Sequence, residues 1–303
     1  MQPLLHIGYH KTGTQFLQRS IFPEPEFSLV ARTERLRPAF IQVDTFPFDA
    51  AAAREAFRPG IEEAIGRGLV PVLSSERLSG NPHSGGYDTV QIAERLAAAF
   101  PEGRVLIVIR EQTAMLVSTY KQYIRVGGAG ALRQYVTPAS EALRVPLFDF
   151  RFFEYHRLVG LYQHLLGPEN VLAVPFEILK SNQHEFLKRI GDFAGATATT
   201  SKVKPLNVSP SAFSLALKRQ ANRWLVRDTV NPAPPFEVEN INQRLFKLCK
   251  KADKRIPAGL RERSERNLRE LAKELVDKRY AESNAITAEL TKLDLHSFGY
   301  ACQ

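Results

Sequence analysis

Residues 4–14 have the sequence LLHIGYHKTGT, in which a short apolar run leads into a turn that contains glycine, lysine and threonine. The next residues, 15–22, place apolar side chains at helical spacing until prolines end the run. A turn between a strand and a helix directs backbone N–H groups, and the positive end of the helix dipole, towards one place. Gly13 lets the backbone approach a ligand and Lys11 adds a full charge, so the segment predicts an anion site. An ordinary tight turn with an exposed lysine is the alternative.

Three more apolar segments predict buried strands, at residues 69–73, 104–109 and 171–175. The middle one, RVLIVI, is continuously apolar after its arginine, which is typical of a strand covered on both faces of a parallel sheet. Helical patterns lie between the strands and after the last one, at residues 49–66, 89–100, 113–125, 150–166 and 182–193. This alternation predicts the α/β class: a doubly wound parallel sheet with helices on both faces.

From residue 209 onward the sequence shows helical periods and no strong strand pattern. We therefore expect a single domain over residues 1–303, with an α/β core at 1–208 and a mainly helical extension at 209–303.

Composition excludes several classes of protein. The 303 residues are 44% hydrophobic and 24% charged, which rules out a disordered chain, a collagen-like chain and a disulfide-rich miniprotein. No apolar run approaches the roughly 20 residues of a membrane-spanning helix, and no signal-peptide pattern is seen at the start. Cys249 and Cys302 are the only cysteines, too few for a disulfide framework or a metal cluster, so we expect a cytoplasmic protein without a metal.

The net charge of +9 is unevenly distributed. Residues 1–23 and 201–227 contain no acidic residue, and the second segment contains six basic ones. Ordinary solvated side chains are one explanation, and a site for a multiply charged anion is the other. We expect no nucleic acid partner, because the sequence has no helix-turn-helix signature, zinc-finger spacing or RNP-type strand.

The turn differs from the common nucleotide-binding loops. In a Walker A loop the lysine directly follows the second glycine, whereas Lys11 precedes Gly13 by two residues, and no G-x-G-x-x-G is present. The segment HKTGT resembles instead the 5′-phosphosulfate loop of the sulfotransferases that use 3′-phosphoadenosine 5′-phosphosulfate (PAPS), whose usual form is P-K-[ST]-G-T-[TS]. His10 stands in place of the proline, and Gln15 in place of the last hydroxyl residue.

A second motif of this family is an arginine at the end of a central strand and a serine eight residues later, which together bind the 3′-phosphate. Arg110 and Ser118 match it, and Tyr120 and Arg125 continue the family's S-x-Y-x-x-x-x-R run. The family's proline and second arginine are missing, since Gln112 and Met115 occupy those positions. Further matches are VPFEIL at 174–179, Asn207-Val208-Ser209, Asn284 and the FGY of 298–300, so the resemblance covers nearly the whole chain.

The resemblance implies a role for each matched residue. Thr12, Gly13, Thr14 and Gln15 would hold the 5′-phosphosulfate mainly through backbone N–H groups. Lys11 would neutralise charge that develops on the oxygen bridging sulfur and phosphorus. Arg110 and Ser118 would hold the 3′-phosphate. Lys202 and Lys204 fall where family members often place a basic residue over that phosphate, although both also fit an exposed lysine.

The acceptor hydroxyl needs a base. One branch of the family uses a histidine, and the heparan-sulfate-like branch uses a glutamate at the end of a strand. Glu76 follows the strand at 69–73 and is the first candidate, with an ion pair to Arg77 as its structural alternative. His10 is the second candidate and His83 the third.

Together these features predict a sulfotransferase that moves a sulfuryl group from PAPS to a hydroxyl, releasing adenosine 3′,5′-bisphosphate without a metal. The glutamate favours a carbohydrate acceptor. The loops at 79–86 and 127–142 are expected to form the site that binds this acceptor. Two alternatives remain: a P-loop-type nucleotide kinase, and a non-enzymatic basic module that binds nucleic acid or an anionic membrane.

Overall fold

The computed structural model describes residues 1–23, 25–44, 46–137, 147–198, 209–226, 235–236 and 240–302. These contain five strands: β1 Leu4–His6, β2 Phe27–Ala31, β3 Val70–Ser74, β4 Arg104–Ile109 and β5 Val171–Pro175. They also contain fourteen α-helices: α1 Thr14–Phe16, α2 Thr33–Phe40, α3 Ala50–Glu55, α4 Arg58–Gly66, α5 Thr89–Ala99, α6 Gln112–Arg125, α7 Leu132–Val136, α8 Tyr155–Leu166, α9 Phe176–Ser181, α10 Gln183–Ala194, α11 Ala212–Leu225, α12 Ile241–Asp253, α13 Ala258–Val276 and α14 Ala281–Thr291.

The strands form one sheet in the order β2-β3-β1-β4-β5, and every pair in it is parallel. Leu5 of β1 lies opposite Leu73 of β3 on one side and Val105 of β4 on the other. After β3 the chain crosses β1 to reach β4, so the strand order reverses beside β1. The predicted α/β class with a parallel sheet flanked by helices is confirmed. Ligands bind such sheets outside the carboxyl ends of the strands, at the reversal.

Strand β4 is the centre of the core. Residues 105–109 are completely buried, as the continuous apolar run predicts for a strand covered on both faces. Leu106 and Val108 pack in one cluster with Leu17 and Ile190. Each such side chain contributes roughly 1.5–3 kcal/mol on burial, so the sheet gives the loops at its carboxyl edge a rigid base.

Four of the strands and α-helices described in the first 208 residues are not predicted by the sequence: β2, α2, α7 and α9. Helix α7 lies within the segment 127–142 that is predicted as a loop. The helix predicted at 49–66 is divided into α3 and α4, which are separated at Phe57, a buried residue. Pro59 lies in the first turn of α4 and has no N–H to bond to the preceding turn, so a second helix begins there. The helix predicted from residue 150 begins as a 3₁₀ turn, Phe150–Phe153, and α8 follows it.

Contacts divide the chain into two compact units. The first contains Met1–Glu111, Phe150–Leu206 and Tyr280–Gln303, and therefore the whole sheet. The second contains Gln112–Asp149 and Asn207–Arg279, and its described secondary structure is helical. Among the described helices, none combines the length and the apolar character needed to cross a membrane.

Candidate functional site

The loop between β1 and α1 has an unusual backbone. Lys11 has a φ of 68° and Gly13 a φ of 91°, both in the left-handed region. A Cβ at Gly13 would lie 3.1 Å from a ring carbon of Phe176 and 3.2 Å from a methyl carbon of Leu179. Both the conformation and the close packing therefore require glycine at this position.

The two threonine hydroxyls of this loop differ in whether they have a hydrogen-bond partner within the protein. Thr12 is completely buried, and its hydroxyl donates to the carbonyl of Tyr9, which closes the turn. Thr14 is also buried, but its Oγ1 has no hydrogen-bond partner within the described residues. A buried hydroxyl without a partner is costly, so Thr14 fits a site whose ligand accepts its hydrogen bond.

Arg110 lies at the end of β4 and contacts this loop directly. Its Nη1 donates to the carbonyl of Lys11 at 3.2 Å, and its guanidinium lies 5.2 Å from the ring centroid of Phe176. The hydroxyl of Tyr155 donates to the Arg110 carbonyl. The Arg110 Nε is buried without a partner among the described residues, which leaves a charged donor for an anion.

A glutamate and a tyrosine that were not predicted as site residues support this edge of the sheet. Glu177, in the first turn of α9, accepts from the backbone N–H of Glu111 at 3.2 Å and from the hydroxyl of Tyr300 at 3.1 Å. Burial raises the pKa of Glu177, an effect that these hydrogen bonds and Arg110 oppose. Glu177 lies in the VPFEIL segment and Tyr300 in the FGY segment, and these two motifs are the sequence signals that indicate both residues.

Glu76 lies just beyond β3, as the first residue of a 3₁₀ turn, Glu76–Ser79. Arg77 forms an ion pair with Asp88. The ion pair between Arg77 and Glu76, which was the structural alternative for Glu76, is therefore not the one that forms. Burial raises the pKa of Glu76 above its ordinary value, while the Lys11 charge lowers it in part. Glu34 acts in the same direction as burial. A half-buried carboxylate with a raised pKa near a lysine suits a proton acceptor.

The two candidate histidines have lowered pKa values. Burial lowers the pKa of His10 to about 3, and the nearby charges of His83, Arg77 and Lys11 act in the same direction. Burial lowers the pKa of His83 to about 4. Both imidazoles are therefore neutral near pH 7 and hold a transferred proton weakly.

The carboxyl edge of the sheet thus collects the Lys11 loop after β1, Glu76 after β3 and Arg110 after β4, all within the first unit. Gln15 is exposed at the start of α1. Ser118 is half-buried on α6 of the second unit. The predicted ligands Lys202 and Lys204 lie outside the described residues, as do 207–208 and part of the predicted 127–142 acceptor loop.

Metal ligands are not grouped in the described parts of the chain. These contain no set of three or more His, Cys, Asp or Glu side chains placed to hold an ion. At this edge the structure places the cations Lys11 and Arg110, the unsatisfied donors Thr14 Oγ1 and Arg110 Nε, and the carboxylates of Glu76 and Glu177.

Comparison with known proteins found similarity only among solved structures; no protein-family model and no curated protein matches. One similar structure is a sulfotransferase from Alicyclobacillus acidocaldarius, 18% identical, with 68% of this chain and 87% of that chain covered and a TM-score of 0.49. Another is the sulfotransferase domain from the curacin biosynthetic pathway, 14% identical, with 82% and 97% covered and a TM-score of 0.37. Both of these structures are similar to this chain at a TM-score below 0.5. Likeness at this level assigns no activity, which depends on the residues of this chain.

Proposed function

We propose that the protein is a PAPS-dependent sulfotransferase. The observation that carries the proposal is the pair of buried, unsatisfied donors at one edge of the sheet, Thr14 Oγ1 and Arg110 Nε, beside the Lys11 loop. Two cations and unsatisfied donors at the strand reversal fit a nucleotide with more than one anionic group. The sequence motifs narrow that class to a nucleotide with a 5′-phosphosulfate and a 3′-phosphate.

Residues 12–15 and Lys11 would hold the phosphosulfate end of the nucleotide, while Arg110 and Ser118 would hold the 3′-phosphate. When bound, PAPS supplies a sulfuryl group attached to a good leaving group. Lys11 stabilises the negative charge that grows on the leaving oxygen, an interaction that is strongest in the transition state. No metal is required, because the cations of the site already neutralise the leaving group.

Glu76 would take the proton from the acceptor hydroxyl as the oxygen forms its bond to sulfur. Its raised pKa brings it closer to neutral pH, where a base combines a deprotonated state with a useful proton affinity. A carbohydrate hydroxyl is the proposed acceptor, because a glutamate at the end of a strand is the base in the heparan-sulfate-like branch of the family. The two cysteines are free, which fits a reducing cytoplasm.

The direct test is incubation of the protein with radiolabelled PAPS and a panel of saccharide, lipid, phenol and amine acceptors. We expect label on a saccharide, and release of adenosine 3′,5′-bisphosphate. Thermal shift adds an independent readout, since a ligand that binds only the folded state raises the midpoint. Adenosine 3′,5′-bisphosphate should give a clear shift and ADP a small one. Equal shifts from ATP with magnesium would favour the nucleotide kinase instead.

A further inference from the structure

Two neighbouring helices of the second unit, α11 and α12, carry most of the charge that the proposed site does not use. Residues 209–226 contain three basic side chains and residues 240–256 contain six, against a single acid, Asp253. Asp253 accepts hydrogen bonds from Ser211 and Ser214, so it is already engaged at the contact between the helices. This pair of helices therefore has a strongly positive surface.

The buried polar contacts fix which faces of the pair point outward. Lys218 is 1% exposed, and its Nζ donates to Asn222 Oδ1 at 2.7 Å and to Asn242 Oδ1 at 2.6 Å. Together with the Ser214–Asp253 bond, this contact sets the helices antiparallel. Lys218 Nζ also donates to the carbonyl of Ile124 on α6, and the guanidinium of Arg125 on α6 lies 5.0 Å from the ring centroid of Phe246 on α12, so both helices pack on the end of α6. The exposed basic side chains of α12 are Arg244, Lys247, Lys250 and Lys251.

Large apolar side chains are exposed on the same two helices. On α11, Leu217 and Trp224 are 57% and 53% exposed, and they lie seven residues apart on one face. On α12, Leu248 is 61% exposed among the basic residues. Phe236 is 61% exposed, and its N–H donates to the carbonyl of Trp224, which places it beside that tryptophan.

We propose that this surface, the outward faces of α11 and α12, docks on an anionic lipid bilayer. Basic side chains beside exposed leucine and an aromatic residue are the composition of helices that lie in a membrane interface. Lysines of such a helix are attracted to anionic headgroups, while tryptophan sits at headgroup depth. Nucleic acid would bind the same basic side chains, but it has no hydrocarbon interior in which Leu217 and Leu248 could be buried. This inference is independent of the proposed sulfotransferase activity.

Trp224 is the only tryptophan in the chain, so its fluorescence reports directly on this surface. The full-length protein is titrated with phosphatidylcholine vesicles, with and without about one third phosphatidylglycerol, at low salt. We expect a blue shift of the emission, and quenching by brominated acyl chains, only with the anionic vesicles. Added salt should reverse both effects.

Matched variants distinguish binding by the α11–α12 surface from an effect of the protein's net charge. Lys247, Lys250 and Lys251, all changed to Gln, should weaken vesicle binding about a hundredfold, at about fivefold for each charge. The control changes Arg263, Arg266 and Lys273 to Gln on α13, a helix of the same unit in which four glutamates accompany the basic residues. This control loses the same charge and should change binding by less than about threefold.

The apolar contribution is tested by Leu217→Ser, which should weaken binding about tenfold, against Leu260→Ser, a 47% exposed leucine on α13 that should not. Sulfuryl transfer to a water-soluble acceptor should be unchanged in all four variants. No emission shift with anionic vesicles, or equal loss in the two triple variants, would overturn the proposal. Quenching by single-stranded DNA without any response to vesicles would assign the surface to nucleic acid.

Discussion

The Lys11 loop and the α11–α12 surface are both positively charged, but they hold their charges differently. Arg110 is half-buried, bonded to the Lys11 carbonyl and stacked over Phe176, and burial lowers its pKa. The basic side chains on the outward face of α12 are exposed to solvent. A buried charge is costly and directional, so it selects a ligand by geometry, whereas exposed charges act together and are screened by salt.

The two regions also differ in whether their hydrogen-bond donors are satisfied. Thr14 Oγ1 and Arg110 Nε are buried without partners in the described parts of the chain, so under the proposed function a ligand accepts their hydrogen bonds. On the outward face of α12 the basic side chains are exposed, so solvent reaches their charged groups. Single substitutions should therefore have large effects at the sheet edge and small, additive effects on the helices.

The largest expected effect belongs to Glu76→Gln, which keeps the shape of the side chain and removes the base. Turnover should fall by roughly 10²–10⁴ while nucleotide binding persists, and the acidic limb of the pH–rate profile should disappear. Glu34→Gln is the control: turnover should persist, and the limb should move to lower pH, because the Glu34 charge raises the pKa of Glu76. Full turnover in Glu76→Gln would remove it from the chemistry.

The same variant has a predicted effect on stability. Because the pKa of Glu76 is raised on folding, its stabilising contribution is present at low pH and is lost as the pH rises through the raised pKa. At neutral pH the uncharged glutamine should therefore leave the thermal midpoint equal to that of the parent chain or higher. A lower midpoint would indicate that the carboxylate supports the fold.

Lys11→Ala and Arg110→Ala should separate chemistry from binding. Loss of Lys11 should reduce turnover by about 10²–10³ with a smaller change in the affinity for adenosine 3′,5′-bisphosphate, because its charge acts mainly in the transition state. Loss of Arg110 should chiefly weaken that affinity, by about 1.5–3 kcal/mol for a charged hydrogen bond. Calorimetric titration and initial rates measure the two effects. Arg19→Ala, an exposed cation on the π-helical turn after α1, should change neither.

A pair of glycine substitutions compares the stability of the Lys11 loop with that of α13, a helix of the second unit. Gly13→Ala should cost about 1–2 kcal/mol for the left-handed backbone alone, plus the repulsion from Phe176 and Leu179. Gly259→Ala on α13 meets no atom within 4 Å and should instead stabilise by about 0.5–1 kcal/mol. Denaturant unfolding followed by circular dichroism measures both. Equal behaviour of the two variants would mean that the loop backbone relaxes without cost.

The parts of the fold that were predicted are those in which one physical requirement dominates the sequence. Burial on both faces makes β4 continuously apolar, and the left-handed backbone of the turn after β1 requires glycine at position 13. The edge strand β2 was missed because it is short and its middle three residues are only half-buried. The division of α3 from α4 depends on Pro59 and on the buried Phe57, which a helical period does not reveal.

The candidate site was predicted only where its residues lie close in sequence or match a motif. Lys11, Glu76 and Arg110 each follow a strand, so the parallel order of the sheet brings them to one edge. The bond from Tyr300 to Glu177 joins residues far apart in the chain, and the pairing of Arg77 with Asp88 depends on how the next loop folds back. Partner choice of this kind depends on tertiary packing, which no local pattern contains.

The smallest expected effect is that of His10→Asn, and it tests whether burial excludes this residue as the base. Burial and the neighbouring cations hold the pKa of His10 near 3, so the ring is neutral over the whole working range. We expect turnover within about threefold of the parent chain and an unchanged acidic limb, with His83→Asn behaving alike. The unfolded chain protonates histidine near pH 6.5, so the parent chain should lose stability as the pH falls from there towards 3, and the variant should lose less. If His10→Asn is inactive while Glu76→Gln retains turnover, the histidine is the base. The carbohydrate proposal would then lose its main support, because it rests on the glutamate rather than on any residue that contacts a sugar.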